Sequence, residues 1–259
     1  MSNITESISF AIQDTWVICK RNLVRYRRIP QLLFFSTIQP IMFLLLFTFV
    51  FGGALSGVDA NYINYLLPGI LMQSALFGSL QTGVGLADDM TKGIIDRFRS
   101  LPMAPLAVLA GRTVSDAMRN AFVVTVMLIV GRIIGFNPTG GLLGVLGAAM
   151  LAVVFGFAFS WVSAAIGLAV KNSETAQVAG FVWVFPLVYI SSAYVPVNTL
   201  PPVLKAIATY SPITMTIDAV RGLTSGVNAF PDVWYALLWI VGIFLVASVI
   251  AVRLYQKQS

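Results

Sequence analysis

Long apolar runs separated by short polar breaks dominate the chain. Six runs are candidates to cross a bilayer: residues 31–51, 62–86, 106–130, 142–170, 176–194 and 233–252. About 20 helical residues rising 1.5 Å each span roughly 30 Å of hydrocarbon. The predicted fold class is therefore all-α, a polytopic membrane protein forming one transmembrane domain over residues 1–259. Pro30 opens the first run, where a missing N–H is harmless, and Pro40, Pro68 and Pro186 inside runs predict kinks. The second run carries Gly69, Gly78, Gly83 and Gly85. Small residues let helices approach closely in lipid. Its polar positions, Gln73 and Gln81, face either a pathway or a neighbouring helix.

Three stretches break this pattern. In residues 7–28, Ile8, Ile12, Trp16, Cys19, Leu23 and Tyr26 step by three and four along one stripe. Asp14, Arg21, Arg25 and Arg28 lie away from it, with Lys20 and Arg27 at its flanks. The pattern suits an amphipathic interfacial helix on anionic lipid, or else an ordinary basic flank to the first span. Residues 195–231 are too apolar for a plain loop and too broken for a span, with four Pro before Asp218. Two short helices fit there, 204–210 and 213–223, as a re-entrant or interfacial hairpin in which Asp218 and Arg221, three apart, pair.

The third is the polar interruption from Ala87 to Arg112. It holds Asp88, Asp89, Lys92, Asp96, Arg97, Arg99 and Arg112. A short helix fits between Gly93 and the stop at Pro102, with Ile94, Ile95, Phe98 and Leu101 sharing one face. Spacing alone suits either a helix that docks into a partner's groove or a solvated turn on the lipid surface. Just beyond, Arg112, Asp116 and Arg119 stand four and three apart inside the third run and can meet on one face. Charges at such depth need pairing or hydration, so the three either brace the bundle or line a vestibule.

Composition agrees with the pattern: 58% of residues are hydrophobic and only 10% charged, against about 25% charged in soluble domains. The formal net charge of +6 marks sidedness rather than affinity for nucleic acid. Of the 16 Lys and Arg residues, all but Arg132, Lys205 and Arg221 fall on one side of a six-span arrangement. The expectation is a cell-membrane, multi-pass protein with both termini cytoplasmic. The single Cys19 and the lack of His exclude Cys–His pairs, His triads and His-based zinc sites. No G-x-x-x-x-G-K-[ST] occurs, so any ATP use belongs to another polypeptide. No cleavable leader is expected in the polar, basic first thirty residues.

Gly93-Ile-Ile-Asp-Arg-Phe-Arg-Ser-Leu-Pro-Met, followed by Val108-Leu-Ala-Gly-Arg-Thr-Val-Ser-Asp, resembles the membrane subunits (permeases) of type-2 ABC exporters, above all the daunorubicin-resistance-like branch. Ser192-Ala-Tyr-Val-Pro-Val, Pro212-Ile-Thr and Asp218-Ala-Val-Arg-Gly-Leu extend the resemblance over nearly the whole chain. It implies six transmembrane helices per chain, an N-terminal interfacial helix and external re-entrant helices. It further implies a second permease copy, identical or not, and separate ABC ATPase subunits that hold ATP and Mg. This chain is then no enzyme and binds no cofactor itself, and its other partner is membrane lipid. The implied ATPase-coupling helix is residues 91–101, with Lys92, Gly93, Ile94, Ile95, Asp96, Arg97, Phe98, Arg99 and Leu101. Many members read Gly-Thr-Leu-Glu where this chain has Gly93-Ile94-Ile95-Asp96. The implied function is efflux of a hydrophobic drug, antibiotic or lipid-like substrate, with polysaccharide or glycolipid export as the alternative. Phe47, Phe77, Phe155 and Tyr189 either line a pathway or pack. A membrane prenyltransferase using Asp88 and Asp89 with Asp96, or a non-transporting scaffold, are rival readings from other classes.

Overall fold

The computed structural model describes residues 2–52, 62–99, 105–227 and 229–257, and among them the regular structure is entirely helical. Helix α1 is Ser2–Arg28 and α2 is Pro30–Leu46, continued by a π-helical turn Phe47–Phe51. Then come α3, Tyr62–Thr91, the six-residue α4, Ile94–Arg99, and α5, Pro105–Ile133. Helix α6 is Gly141–Val170 and α7 is Ser173–Tyr189. A 3₁₀ turn at Val197–Thr199 leads to α8, Pro202–Thr209, and α9, Pro212–Ser225, before α10, Ala229–Lys257. Residues 53–61 and 100–104 lie outside the described residues.

Five of these helices are long and apolar enough to cross a membrane, those containing 33–50, 62–91, 106–133, 141–170 and 230–257. Helix α7, expected to reach residue 194, stops at Tyr189 and counts 17 residues. Its end has a physical cause. The Ser192 carbonyl is taken by Tyr65 Oη at 3.0 Å and by Arg221, and the Tyr194 carbonyl by Tyr62 Oη at 3.1 Å. A longer helix would also send the Ser192 and Ala193 N–H groups to the Val188 and Tyr189 carbonyls, but they donate instead to Thr214 Oγ1 at 3.3 Å and to Ser191 Oγ at 3.2 Å.

Helix α3 is the hub, packed against α2, α5, α6, α7 and α9. Leu66, Leu67, Ile70, Leu71 and Met72 along it are fully buried. Gly83 and Gly167 bring α3 and α6 together, since a Cβ on either would run into the other helix's backbone. Gly111 does the same between α5 and α1, where a Cβ would stand 2.6 Å from the Thr15 carbonyl oxygen. The stripe read along α1 is therefore divided. Cys19 is buried beside Met118 and Tyr26 reaches α5, while Ile12 and Trp16 stay exposed. Turns are capped by ordinary chemistry. Asn172 accepts from the N–H groups of Glu174 and Thr175 to start α7, and Ser211 with Pro212 starts α9.

Large apolar side chains remain exposed on α2, α5, α7 and α10, among them Phe34, Phe122, Val182 and Trp239. Surface of that size is stable against lipid or another chain, not against water. At one end of the bundle, Leu86, Ile95, Val108, Leu168, Ala251 and Tyr255 form a second apolar cluster. That end also carries Lys92, Lys171 and Lys257, and is called the basic end below.

Candidate functional site

At the basic end the chain leaves α3 at Thr91 and turns at Lys92-Gly93, where Gly93 has φ +66°, a left-handed conformation natural to glycine. Helix α4 follows. Ile95 is buried in the second apolar cluster and Phe98 packs against it, beside Met90. Ile95 and Phe98, two of the four residues on the face read from the spacing, thus turn inward on the chain's own bundle. The reason is geometric: a helix of six residues tied to α3 behind it has little freedom to present that face elsewhere. Ile94 is half-buried, and Lys92 and Arg97 are exposed. The side chains of Asp96 and Arg99, and Leu101 altogether, lie outside the described residues.

A network of charge runs from this helix into the bundle. The Arg21 guanidinium of α1 covers the Phe98 ring, 4.7 Å from its centroid. Arg21 also pairs with Asp89 at 3.5 Å, and Asp89 with Arg112 at 3.1 Å. Arg112 and Arg119 each place Nε 3.7 Å from the Asp116 carboxylate. Asp116 accepts hydrogen bonds from Thr82 Oγ1 at 2.6 Å and from Tyr26 Oη. Arg119 donates to the Gly78 carbonyl at 2.8 Å. On the outer side, Asp88 holds Lys92 at 2.7 Å and Arg25 at 3.9 Å. Asp89, Arg112, Asp116 and Arg119 are all buried. Burial, reinforced by the Asp116 charge, pushes the Tyr26 phenol well above its ordinary pKa, so it stays a donor. Burial pulls the Arg21 guanidinium down from its ordinary value while Asp89 opposes that shift.

The structure thus brings Arg112, Asp116 and Arg119 together and adds Asp89, Thr82, Tyr26 and Arg21, which the spacing argument missed. Asp89 carried a weak signal as an acid at the end of an apolar run. Tyr26 and Thr82 carried none, because their partner lies 90 and 34 residues away. Asp88 and Asp89 are committed to cations, which argues against their serving as a diphosphate-binding acid pair. The arrangement links a surface helix to the interior of α3 and α5.

Between α1, α2, α3 and α5 the network borders a cavity of about 440 Å³, whose wall includes Arg25, Arg112, Arg119, Gln31, Gln39 and Gln81. A narrower space beyond it shares Gln39, Gln81 and Arg119 and continues to Gln73 and Asn120. Gln73 accepts from Tyr194 Oη. Phe77 packs with Phe181 and Phe185, Tyr189 stacks on Phe185, and Phe47 stacks on Tyr194. Phe155 is fully buried and packs against Phe159.

At the opposite end Arg221 acts as a clamp. It pairs with Asp218 at 2.9 Å, donates to the Tyr65 carbonyl at 3.1 Å and to the Ser192 carbonyl, and lies 3.6 Å from the Tyr65 ring centroid. Ser192 Oγ donates to Asp218 at 2.9 Å. One arginine thereby fastens α9, α3 and the end of α7.

The pattern of the family described as ABC-2 type transporter matches residues 13–225. The chain is 32% identical over 253 residues to the daunorubicin resistance ABC transporter permease protein of Streptomyces coeruleorubidus, covering 98% of this chain and 88% of that one. It is 25% identical over 250 residues to the probable doxorubicin resistance ABC transporter permease protein of Mycobacterium tuberculosis, covering 96% and 90%. A putative transport permease of Cyanophora paradoxa is 28% identical over 227 residues, covering 83% and 76%.

Proposed function

The chain belongs to the ABC-2 type transporter family, and on that premise we propose that it is the permease half of an ATP-driven exporter, powered by ATPase subunits on separate chains. Its substrate is a hydrophobic drug, antibiotic or lipid-like molecule, as the names of the drug-resistance relatives suggest. Helix α7 joins the five longer helices as a sixth span. The basic end faces the cytoplasm, in keeping with its Lys and Arg excess, and the Arg221 clamp lies outside.

In this reading α4 is the coupling helix. Lys92 and Arg97 face the ATPase, and Ile95 and Phe98 carry its displacement into the bundle. Closure of the ATPase pair on ATP pushes α4 against Leu86 and Val108. Arg21 and Asp89 pass the movement to Arg112 and Asp116, which lie between α3 and α5. The observation that carries the reading is the unbroken path from the Phe98 ring through Arg21, Asp89 and Arg112 to Asp116.

The test is the double variant Arg97→Glu, Phe98→Ala, expressed with its ATPase. Membrane insertion should persist while export is lost and ATP hydrolysis no longer responds to substrate. Wild-type substrate-stimulated hydrolysis in that variant contradicts the assignment.

A further inference from the structure

The cavity between α1, α2, α3 and α5 is richer in cationic donors than its own acids can satisfy. Among the described residues, Arg25, Arg112 and Arg119 line it with Asp88 as the one carboxylate in its wall, and Asp89 and Asp116, which pair with Arg112 and Arg119, stand outside that lining. Each guanidinium has five N–H donors. Arg112 uses two in hydrogen bonds, to Asp89 and the Gln81 carbonyl, and Arg119 uses one, to Gly78. The Nε atoms of both arginines and Nδ2 of Asn22, all buried, have no hydrogen-bond partner. Arg112, Arg119 and Asn22 all line the cavity.

Depth makes this excess consequential. Arg119 stands about 20 Å along α5 from Pro105, and Gln39 about 14 Å along α2 from Pro30. Unmatched positive charge below the headgroup layer is costly unless an anion or water reaches it. The cavity's rim is of another kind: Phe35 lines it and is 65% exposed, and Phe34 beside it is 60% exposed. A polar, arginine-bearing floor behind an apolar, exposed rim fits a molecule with an anionic head and acyl tails. Guanidinium groups suit phosphate oxygens because their planar fork donates in pairs, and basic pockets between membrane helices suit anionic headgroups.

We propose that this cavity is a binding site for the phosphate headgroup of an anionic phospholipid, entering from the adjacent leaflet past Phe35 with its phosphate among Arg25, Arg112 and Arg119. The lipid supplies the negative charge that Asp88, Asp89 and Asp116 leave short. By filling the space between α1 and α2 it also holds the interfacial helix against the first span.

The experiment is native mass spectrometry of the full chain released from bilayers of equal phosphatidylglycerol and phosphatidylcholine. Phosphatidylglycerol should be retained about tenfold over phosphatidylcholine, the size of effect one charge–charge contact gives. Gln39→Glu and Gln31→Glu place a carboxylate in the cavity from exposed positions outside the ion-pair network, so both should fold. Each should cut the preference about fivefold or more, whereas Gln39→Leu should keep it. Equal retention of the two lipids by the wild type makes the cavity a hydrated vestibule and overturns the proposal. So does an undiminished preference in both glutamate variants. Loss of the bound lipid to millimolar inorganic phosphate assigns the site to free anion and overturns the lipid assignment.

Discussion

The guanidinium of Arg21 stands over Phe98 with its central carbon 4.7 Å from the ring centroid, joining α1 to α4. Because Arg21 also pairs with Asp89, it is the residue through which α4 is tied to the buried charges. Cation–π contacts contribute roughly 0.5–2 kcal/mol. Arg21→Gln removes both contacts and should lower export about fivefold or more at unchanged membrane level. Arg21→Lys keeps charge but loses the planar guanidinium, and should fall between. Transport into inverted vesicles, normalised to protein, reads the order.

Asp116 is the shared ion-pair partner of Arg112 and Arg119 and accepts hydrogen bonds from Thr82 and Tyr26. Asp116→Asn takes the carboxylate partner from buried Arg119, leaves Arg112 with Asp89 alone, and should destabilise by about 3–5 kcal/mol. Adding Arg119→Gln removes the orphaned charge, so the double variant should lose less than the two single losses together. Thermal unfolding in detergent, run as a double-mutant cycle, measures the coupling.

Tyr26 gives a pH signature. Its phenol is raised above the ordinary value of 10.0, by burial first and the Asp116 charge second. A raised folded-state pKa means the native protein keeps a proton the unfolded chain releases. The stability it contributes is full below pH 10 and declines as pH climbs above it. Tyr26→Phe should lose about 1 kcal/mol at neutral pH and show a shallower decline above pH 10. Identical alkaline slopes in the two proteins contradict this.

Most of the helical layout was legible because a membrane span needs only length and apolar composition. The runs behind α2, α3, α5, α6 and α10 met both conditions in one dimension. The Arg112–Asp116–Arg119 spacing was also local, since residues three and four apart share a helix face. What the sequence hid were partners set by packing. Phe98 reads as a docking residue until α4 is seen folded against its own bundle. Tyr26 and Thr82 become acceptor-satisfying donors only when α1 and α3 close on α5. The early end of α7 is also not local: the Ser192 N–H, which a longer helix would send to the Val188 carbonyl, donates to Thr214 Oγ1 of α9.

The opposite end offers a contrast in one clamp. Arg221 makes its contacts with Asp218, Tyr65 and Ser192 from a largely buried position, whereas the Asp218 side chain is 43% exposed. Arg221→Lys cannot reproduce the fork and should cost about 2–3 kcal/mol. Asp218→Asn, at a solvated acid, should cost under about 1 kcal/mol. Equal losses in thermal unfolding would mean that the ion pair, not the carbonyl contacts, holds this end.

The central claim is that α4 is where a separate ATPase grips this permease. With Cys19 as the sole cysteine, Cys19→Ser gives a thiol-free background. Cysteine is then placed by Arg97→Cys on the exposed side of α4, or by Lys205→Cys on α8 at the other end. Each is treated with a short bis-maleimide in membranes holding the cognate ATPase, itself carrying surface cysteines. The account predicts an ATPase adduct from Arg97→Cys that changes with bound ATP, and none from Lys205→Cys. An adduct from Lys205→Cys with none from Arg97→Cys contradicts it.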